Sequence, residues 1–229
     1  MKRLIVLITL ISIATITFSQ KLQETRRYNA PEKVKIDGKM LIRFHQADEV
    51  EVVIETEKVS LEDIYTKYSG DELLIRVEPL DIEGGSVVID AYLPAFSELT
   101  ISRGAATHIS SNMLKNNAKV TVKSGSTIKA DLNLENFTAK IGSGAFLELF
   151  GTLEQLDATV YTTGKLRTDS LNLQIANIKA RSGGFAAINP LESANLKAHT
   201  GGEIKLLTPV KKKKINTFMK GVITQTDNE

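Results

Sequence analysis

The chain has no cysteine and no tryptophan, and aromatic residues make up only 6% of its 229 residues. The lack of cysteine excludes disulfides, thiolate metal sites and a cysteine nucleophile. It also excludes the lipid-modified N-terminal cysteine of a conventional bacterial lipoprotein. With so few aromatics, platforms for stacking nucleobases are not expected. No charge dominates either: the net charge is +2 with 24% charged residues, so no strong field points to nucleic acid. Long apolar runs are missing except at Leu4–Phe18, about 15 residues and shorter than the roughly 20 that span a bilayer. Lys2 and Arg3 precede that run, and small Ser19 follows it beside Gln20. Residues 1–20 therefore read as a cleaved secretory signal, and no later segment suits a membrane-spanning helix. Export through the inner membrane is expected, to the periplasm or the cell surface.

What the chain does have is a repeat. Between residues 99 and 209 a corner ending in glycine recurs six times: Arg103-Gly104, Ser124-Gly125, Ser143-Gly144, Thr163-Gly164, Ser182-Gly183 and Thr200-Gly201. Successive glycines lie about 20 residues apart, a period typical of solenoids. Three residues before each corner stand Ile101, Val122, Ile141, Tyr161, Ala180 and Ala198; five before stand Leu99, Val120, Ala139, Thr159, Ile178 and Leu196. This alternation places both columns on one face of a strand. A unit this short cannot bury an apolar face alone, but stacked units share one core. The fold class expected is all-β, a single-stranded right-handed parallel β-helix with coils about 4.8 Å apart.

The rest of the chain reads as extensions of that column. Residues 21–33 are a polar, flexible lead-in, and 34–98 supply N-terminal β coils. Within them 61–68 suits a short helix, with Ser60 as N-cap, Asp63 at the capping-box position and Leu61, Ile64 and Tyr65 facing inward. Strands are expected around Val34–Arg43, Val50–Glu55, Glu72–Glu78 and Ser86–Leu93, with a loop from Pro79 to Gly85. Residues 210–229 form a last coil, cap or tail. Solenoid ends need polar coverage, for which the 61–68 helix and the lysine-rich segment are the candidates.

Several of these segments together resemble the putative auto-transporter adhesin, head GIN domain family of exported bacterial proteins. The resemblance begins at Val34-Lys35-Ile36-Asp37-Gly38 and continues through Glu51–Glu55 and Gly70–Ile75. It is most specific at Val88–Pro94 followed by Leu99–Ser102, and the serine-glycine corners complete it. Arg103-Gly104, Thr163-Gly164 and the basic stretch after Pro209 depart from the family's pattern. The resemblance implies a right-handed β-helix and an exported Gram-negative protein, and carries no catalytic residues.

No constellation for catalysis emerges from the residues themselves. Glycoside cleavage needs paired carboxylates. Glu135 and Glu154 share a column, but Leu114 and Gln174 flank them in it. His45, His108 and His199 fall at unrelated places in the repeat, which argues against a histidine metal site. Ser143 lies in Gly-Ser-Gly without the nucleophile-elbow spacing. Asn112, Asn133, Thr152 and Asn172 form another column, read either as a polar binding stripe or as stacked amides and turn residues. Lys211, Lys212, Lys213 and Lys214 are the candidate anionic-surface site, for acidic polysaccharide, lipopolysaccharide or a phospholipid headgroup. The expected function is a non-catalytic, adhesin-like binding protein of the cell envelope. It has no cofactor, and its partner is a polysaccharide, an envelope protein or weakly a second copy. The alternatives are a periplasmic assembly factor associating through the coil ends, and a polysaccharide-active enzyme.

Overall fold

The computed structural model describes residues 21–78 and 84–226. The signal-like segment 1–20, most of the 79–85 loop and the last three residues lie outside the described residues. Among the described residues eighteen strands, numbered in chain order, make up the fold. The first seven are β1 Leu22–Tyr28, β2 Lys33–Asp37, β3 Leu41–Gln46, β4 Val50–Glu57, β5 Ile64–Ser69, β6 Glu72–Val77 and β7 Ser86–Leu93. Next come β8 Phe96–Ser102, β9 Ala106–Ile109, β10 Leu114–Val122, β11 Thr127–Ile141, β12 Phe146–Tyr161 and β13 Lys165–Arg181. The last are β14 Phe185–Ile188, β15 Pro190–His199, β16 Glu203–Leu206, β17 Lys212–Phe218 and β18 Val222–Gln225. The fold is all-β, a parallel β-solenoid of about seven turns.

Alternation of apolar and polar residues drives each coil, because one strand face must find the core. On the wall that leads into each glycine corner, Val34, Leu99, Val120, Ala139, Ala158, Ile178 and Leu196 stack in register and are all buried. Ile36, Ile101, Val122, Ile141, Val160, Ala180 and Ala198 form a second buried stack beside them. After the corner, Ile42, Thr107, Ile128, Leu147, Leu166, Ala186 and Ile204 fill the core from the opposite wall. Each large side chain so buried contributes about 1.5–3 kcal/mol. Buried Thr107 keeps its hydroxyl satisfied by donating to the Ile42 carbonyl at 2.9 Å.

The corner works through backbone conformation. Ser124, Ser143, Ser182 and Thr200 take positive φ, and Gly125, Gly144, Gly183 and Gly201 after them do the same. The amides of Gly125, Gly144 and Gly201 bond to the next coil, as Gly125 does to the Ser143 carbonyl at 3.0 Å. Two corners depart from the pattern: in the last coil Met219 and Lys220 take the left-handed positions before Gly221, and the corner at Thr162–Thr163 does the same. Gly144 bonds to Thr162, so Thr162 and Thr163 occupy the two left-handed positions and Gly164 is the residue after them. The expected Thr163-Gly164 corner is therefore shifted by one residue. As a consequence Val160 and Ala158 are buried where Tyr161 and Thr159 were expected, and those two point outward.

The N-terminal part differs most from expectation. The lead-in is not loose, because β1 pairs antiparallel with β4. The helix expected over 61–68 is a single 3-10 turn, Leu61–Asp63, followed by β5. Ser60 does cap that turn, its Oγ accepting from the Glu62 amide at 3.3 Å. Ile64 is buried, but Tyr65 is 45% exposed and Leu61 half-buried, so the segment follows a strand period against β6. The coils are also not in chain order: β2 lies between β6 and β8, and β3 between β7 and β9. Antiparallel β5 covers β6, antiparallel β4 covers β7, and β1 covers β4. This end of the column is thus closed by antiparallel strands, which protects a parallel edge.

The other end is one further coil, not a tail. β17 pairs with β15 and β18 with β16, and among the described residues no strand follows them. Lys213 stands above buried Ala194 and Gln225 above buried Leu206, so both occupy interior positions. Lys213 Nζ donates to Gln225 Oε1 at 2.8 Å and closes the open core with a polar bridge. Inward-pointing charge of this kind discourages strand addition.

Candidate binding surface

The side chains that leave the core form straight columns, because parallel register repeats each position one coil higher. The wall before the corner, made by β2, β8, β10 and the later halves of β11, β12 and β13 with β15 and β17, carries the most regular set. One column runs Lys35, Thr100, Thr121, Lys140, Thr159, Lys179, Lys197 and Asn216. It contains no acid over these eight coils. To one side stand Lys119, Thr138, Asp157, Asn177, Asn195 and Lys214. To the other side the Arg181 guanidinium sits 5.3 Å from the centre of the Tyr161 ring, and His199 packs edge-on against Phe218. Between the first two columns lies an open groove of about 250 Å³, lined by Lys140, Thr159, Lys179 and Lys197 with Asp157 and Asn195.

The four lysines at 211–214 do not act as a unit. Lys211 pairs with Glu192 and Lys213 turns inward to Gln225. Lys212 and Lys214 continue outward columns of the wall, above Ser193 and Asn195. The Asn112, Asn133, Thr152 and Asn172 column is exposed, so it is not a buried amide ladder. Asn133, Thr152 and Asn172 are in register, while Asn112 donates to Gln46. Beside that column, Glu135 and Glu154 line a wider open depression of about 420 Å³ with Asn116 and Gln174.

The histidines stay apart. His45 Nε2 lies 2.7 Å from Asp90 Oδ1, and its ring stacks on Tyr92. His108 Nε2 lies 2.9 Å from Asp131 Oδ2, and His199 is on the corner wall. Among the described residues no group of three or more His, Asp or Glu is placed to hold a metal ion. Ser143 serves as a left-handed corner residue.

The shifted carboxylates belong to structural pairs. Asp37 is desolvated by burial, which pushes its carboxyl up. Hydrogen bonds from Arg103 Nε (2.6 Å) and Ser102 Oγ (2.8 Å), with Arg76 nearby, outweigh this and hold it below the usual carboxylate range. Hydrogen bonds from Lys115 to Glu32 and from Arg167 to Asp169 lower those two acids in the same way. The lysine column was not among the candidates read from the sequence. Its signal is the recurrence of Lys140, Thr159, Lys179 and Lys197 at intervals that track the corners.

No curated protein matches the chain. A putative adhesin from Bacteroides fragilis is similar in structure, with a TM-score of 0.71 and 16% identity, covering 91% of this chain and 99% of its own. A putative adhesin from Parabacteroides merdae gives a TM-score of 0.69 at 12% identity, covering 91% and 97%. A putative lipid binding protein from Parabacteroides distasonis gives 0.65 at 14% identity, covering 90% and 97%. At these identities the likeness establishes the fold. The family model of the putative auto-transporter adhesin, head GIN domain matches residues 30–208, most of the chain, and the chain belongs to that family.

Proposed function

We propose that the chain is a non-catalytic, exported binding protein of the bacterial cell envelope. Its solenoid presents a repetitive lateral surface to a polysaccharide or an envelope protein. The observation that carries this reading is the outward column: the same few side-chain types recur at strand spacing over many coils, a lattice that suits a repetitive ligand. Solved structures of this fold described as putative adhesins add support. The signal-like residues 1–20 support export, and Lys212 and Lys214 contribute positive charge to the corner wall.

The test is retention of the exported chain on a panel of purified bacterial and host polysaccharides and on envelope protein fractions, with glycan length followed throughout. Capture without shortening is expected. Shortening of the glycan, or no capture from any fraction, refutes the reading. Protease treatment of intact and permeabilised cells separates the surface from the periplasm.

The open last coil favours a second reading, an assembly role through the coil ends. Phe218, Met219 and Val222 are exposed there, and among the described residues no strand pairs with the outer edges of β17 and β18. Growth of the sedimentation coefficient with concentration, lost on shortening the chain after Pro209, is the result that distinguishes it.

A further inference from the structure

We infer that the wall before the corner is the binding site, and that its ligand is a linear anionic polysaccharide lying along the solenoid axis. This rests on the binding reading above and names the surface and the ligand class within it. Three observations converge on the same groove.

The first is uncompensated charge. Lys179 and Lys197 stand directly opposite each other on adjacent coils, and Lys140 lies two coils from Lys179 across Thr159. Like charges facing across neighbouring strands destabilise a sheet. Some lysines of this fold are answered by carboxylates, among them Lys33 by Asp71, Lys115 by Glu32, Lys119 by Glu98 and Lys129 by Glu148. Among the described residues, Lys140, Lys179 and Lys197 make no ion pair, and Arg181 rests on Tyr161 without a carboxylate. A bound polyanion removes that repulsion.

The second is an idle acceptor. Asn195 Oδ1 is buried in the groove wall without a hydrogen-bond partner. An unanswered polar atom costs stability, and turning of the half-buried Asn195 amide toward the groove lets a ligand hydroxyl supply the missing donor. The third is geometry. The cations recur on a spacing of about 4.8 Å or its multiples. That spacing is close to the advance of one sugar along an extended chain. Thr159 stands between the cations, and Thr138 and Asn177 line the groove beside them, flanking Asp157, to offer hydroxyl and amide partners. The same groove presents no large exposed apolar side chain to enter a bilayer, which sets it apart from a lipid-binding face.

The experiment titrates the exported chain with polygalacturonate, with neutral dextran, with single-stranded DNA and with anionic phospholipid vesicles. Lys140→Gln/Lys179→Gln/Lys197→Gln is compared with Lys129→Gln/Lys165→Gln/Lys205→Gln, which removes equal charge from the opposite wall. Thermal melts establish that both variants fold, and a triple Lys→Arg variant of the first set retains the charge. The expected result is salt-sensitive binding of polygalacturonate over dextran, weakened about tenfold by the first variant, little by the second, and kept by the arginine form. Equal losses in the two glutamine variants overturn the site, since binding would then follow net charge. Undiminished binding in the first variant overturns the site while leaving a binding role intact. Preference for DNA or vesicles over polygalacturonate overturns the ligand class.

Discussion

The corner at Thr162–Thr163 gives the sharpest test of how the repeat is held. Both residues take left-handed backbone, with φ of +45° and +59°. In five other coils the second of these positions is a glycine, with φ between +72° and +81°. Left-handed backbone costs an ordinary residue about 1–2 kcal/mol, and a β-branched one belongs at the upper end. Glycine offsets part of this by losing about 0.5–1 kcal/mol more in backbone entropy on folding. Little else is at stake: Thr163 is exposed, and its hydroxyl donates only to the neighbouring Thr162 carbonyl at 2.7 Å. Thr163→Gly is therefore expected to stabilise the fold by about 0.5–1 kcal/mol, a rise in Tm of about 2–3 °C for a chain of this size. Differential scanning calorimetry measures it, with Thr163→Ala as control. Alanine keeps a side chain in the left-handed region and loses only the β-branch, so its gain is smaller than that of glycine. An unchanged or lowered Tm for the glycine variant, or an equal rise for alanine, refutes the argument.

Other perturbations probe other parts of the column. Gly151 has φ of +88°, and a methyl there would run into the Leu132 carbonyl one coil away, so Gly151→Ala should cost about 3 kcal/mol in urea unfolding. Asp37→Asn should cost about 2 kcal/mol at pH 7 by weakening its bonds with Arg103 and Ser102. Because Asp37 titrates below its unfolded value, its contribution is present above about pH 4 and lost as pH falls through the lower folded value. The gap between wild type and Asp37→Asn should therefore narrow in acid unfolding series; a constant gap contradicts the assignment. Replacing the inward pair by Lys213→Ile/Gln225→Val should promote concentration-dependent association in sedimentation velocity, and a variant that stays monomeric removes the guarding role of that pair.

Much of the fold was legible because solenoid physics writes itself locally. Ile101, Val122 and Ile141 alternate with polar residues and recur with the corner, which is enough to define strand, core and coil. The N-terminal coils were not legible in the same way. Nothing local in Lys33–Asp37 says that its neighbours are β6 and β8, far along the chain. The helix expected over 61–68 failed for a related reason. Leu61, Ile64 and Tyr65 fit a helical spacing, but Thr66 and Tyr68 also suit a strand, and the antiparallel partner β6 decided the outcome.

The candidate binding surface was hidden by a variable period. From Ser143 to Thr162 to Ser182 to Thr200 the corner recurs after 19, 20 and 18 residues. A register shift between Glu148 and Phe150 takes up an extra residue, and the spacing to the next coil falls from Arg167–Ala187 to Leu173–Pro190 before a further shift at Ile175 restores one. Gly164 was the natural landmark for the fourth corner, yet it stands one place beyond the left-handed pair. In a strand a slip of one residue exchanges the two faces. That slip moved Thr159 and Tyr161 into the core on paper and broke the column between Lys140 and Lys179. With the correct register the column closes, and the lysines become a continuous surface feature. The same column of lysines adds little to sequence composition, since the net charge of the whole chain is +2. Its effect comes from stacking: lysines recur along one line of the solenoid that carries no acid. A ligand that reads the surface along the axis therefore meets a field that the composition conceals.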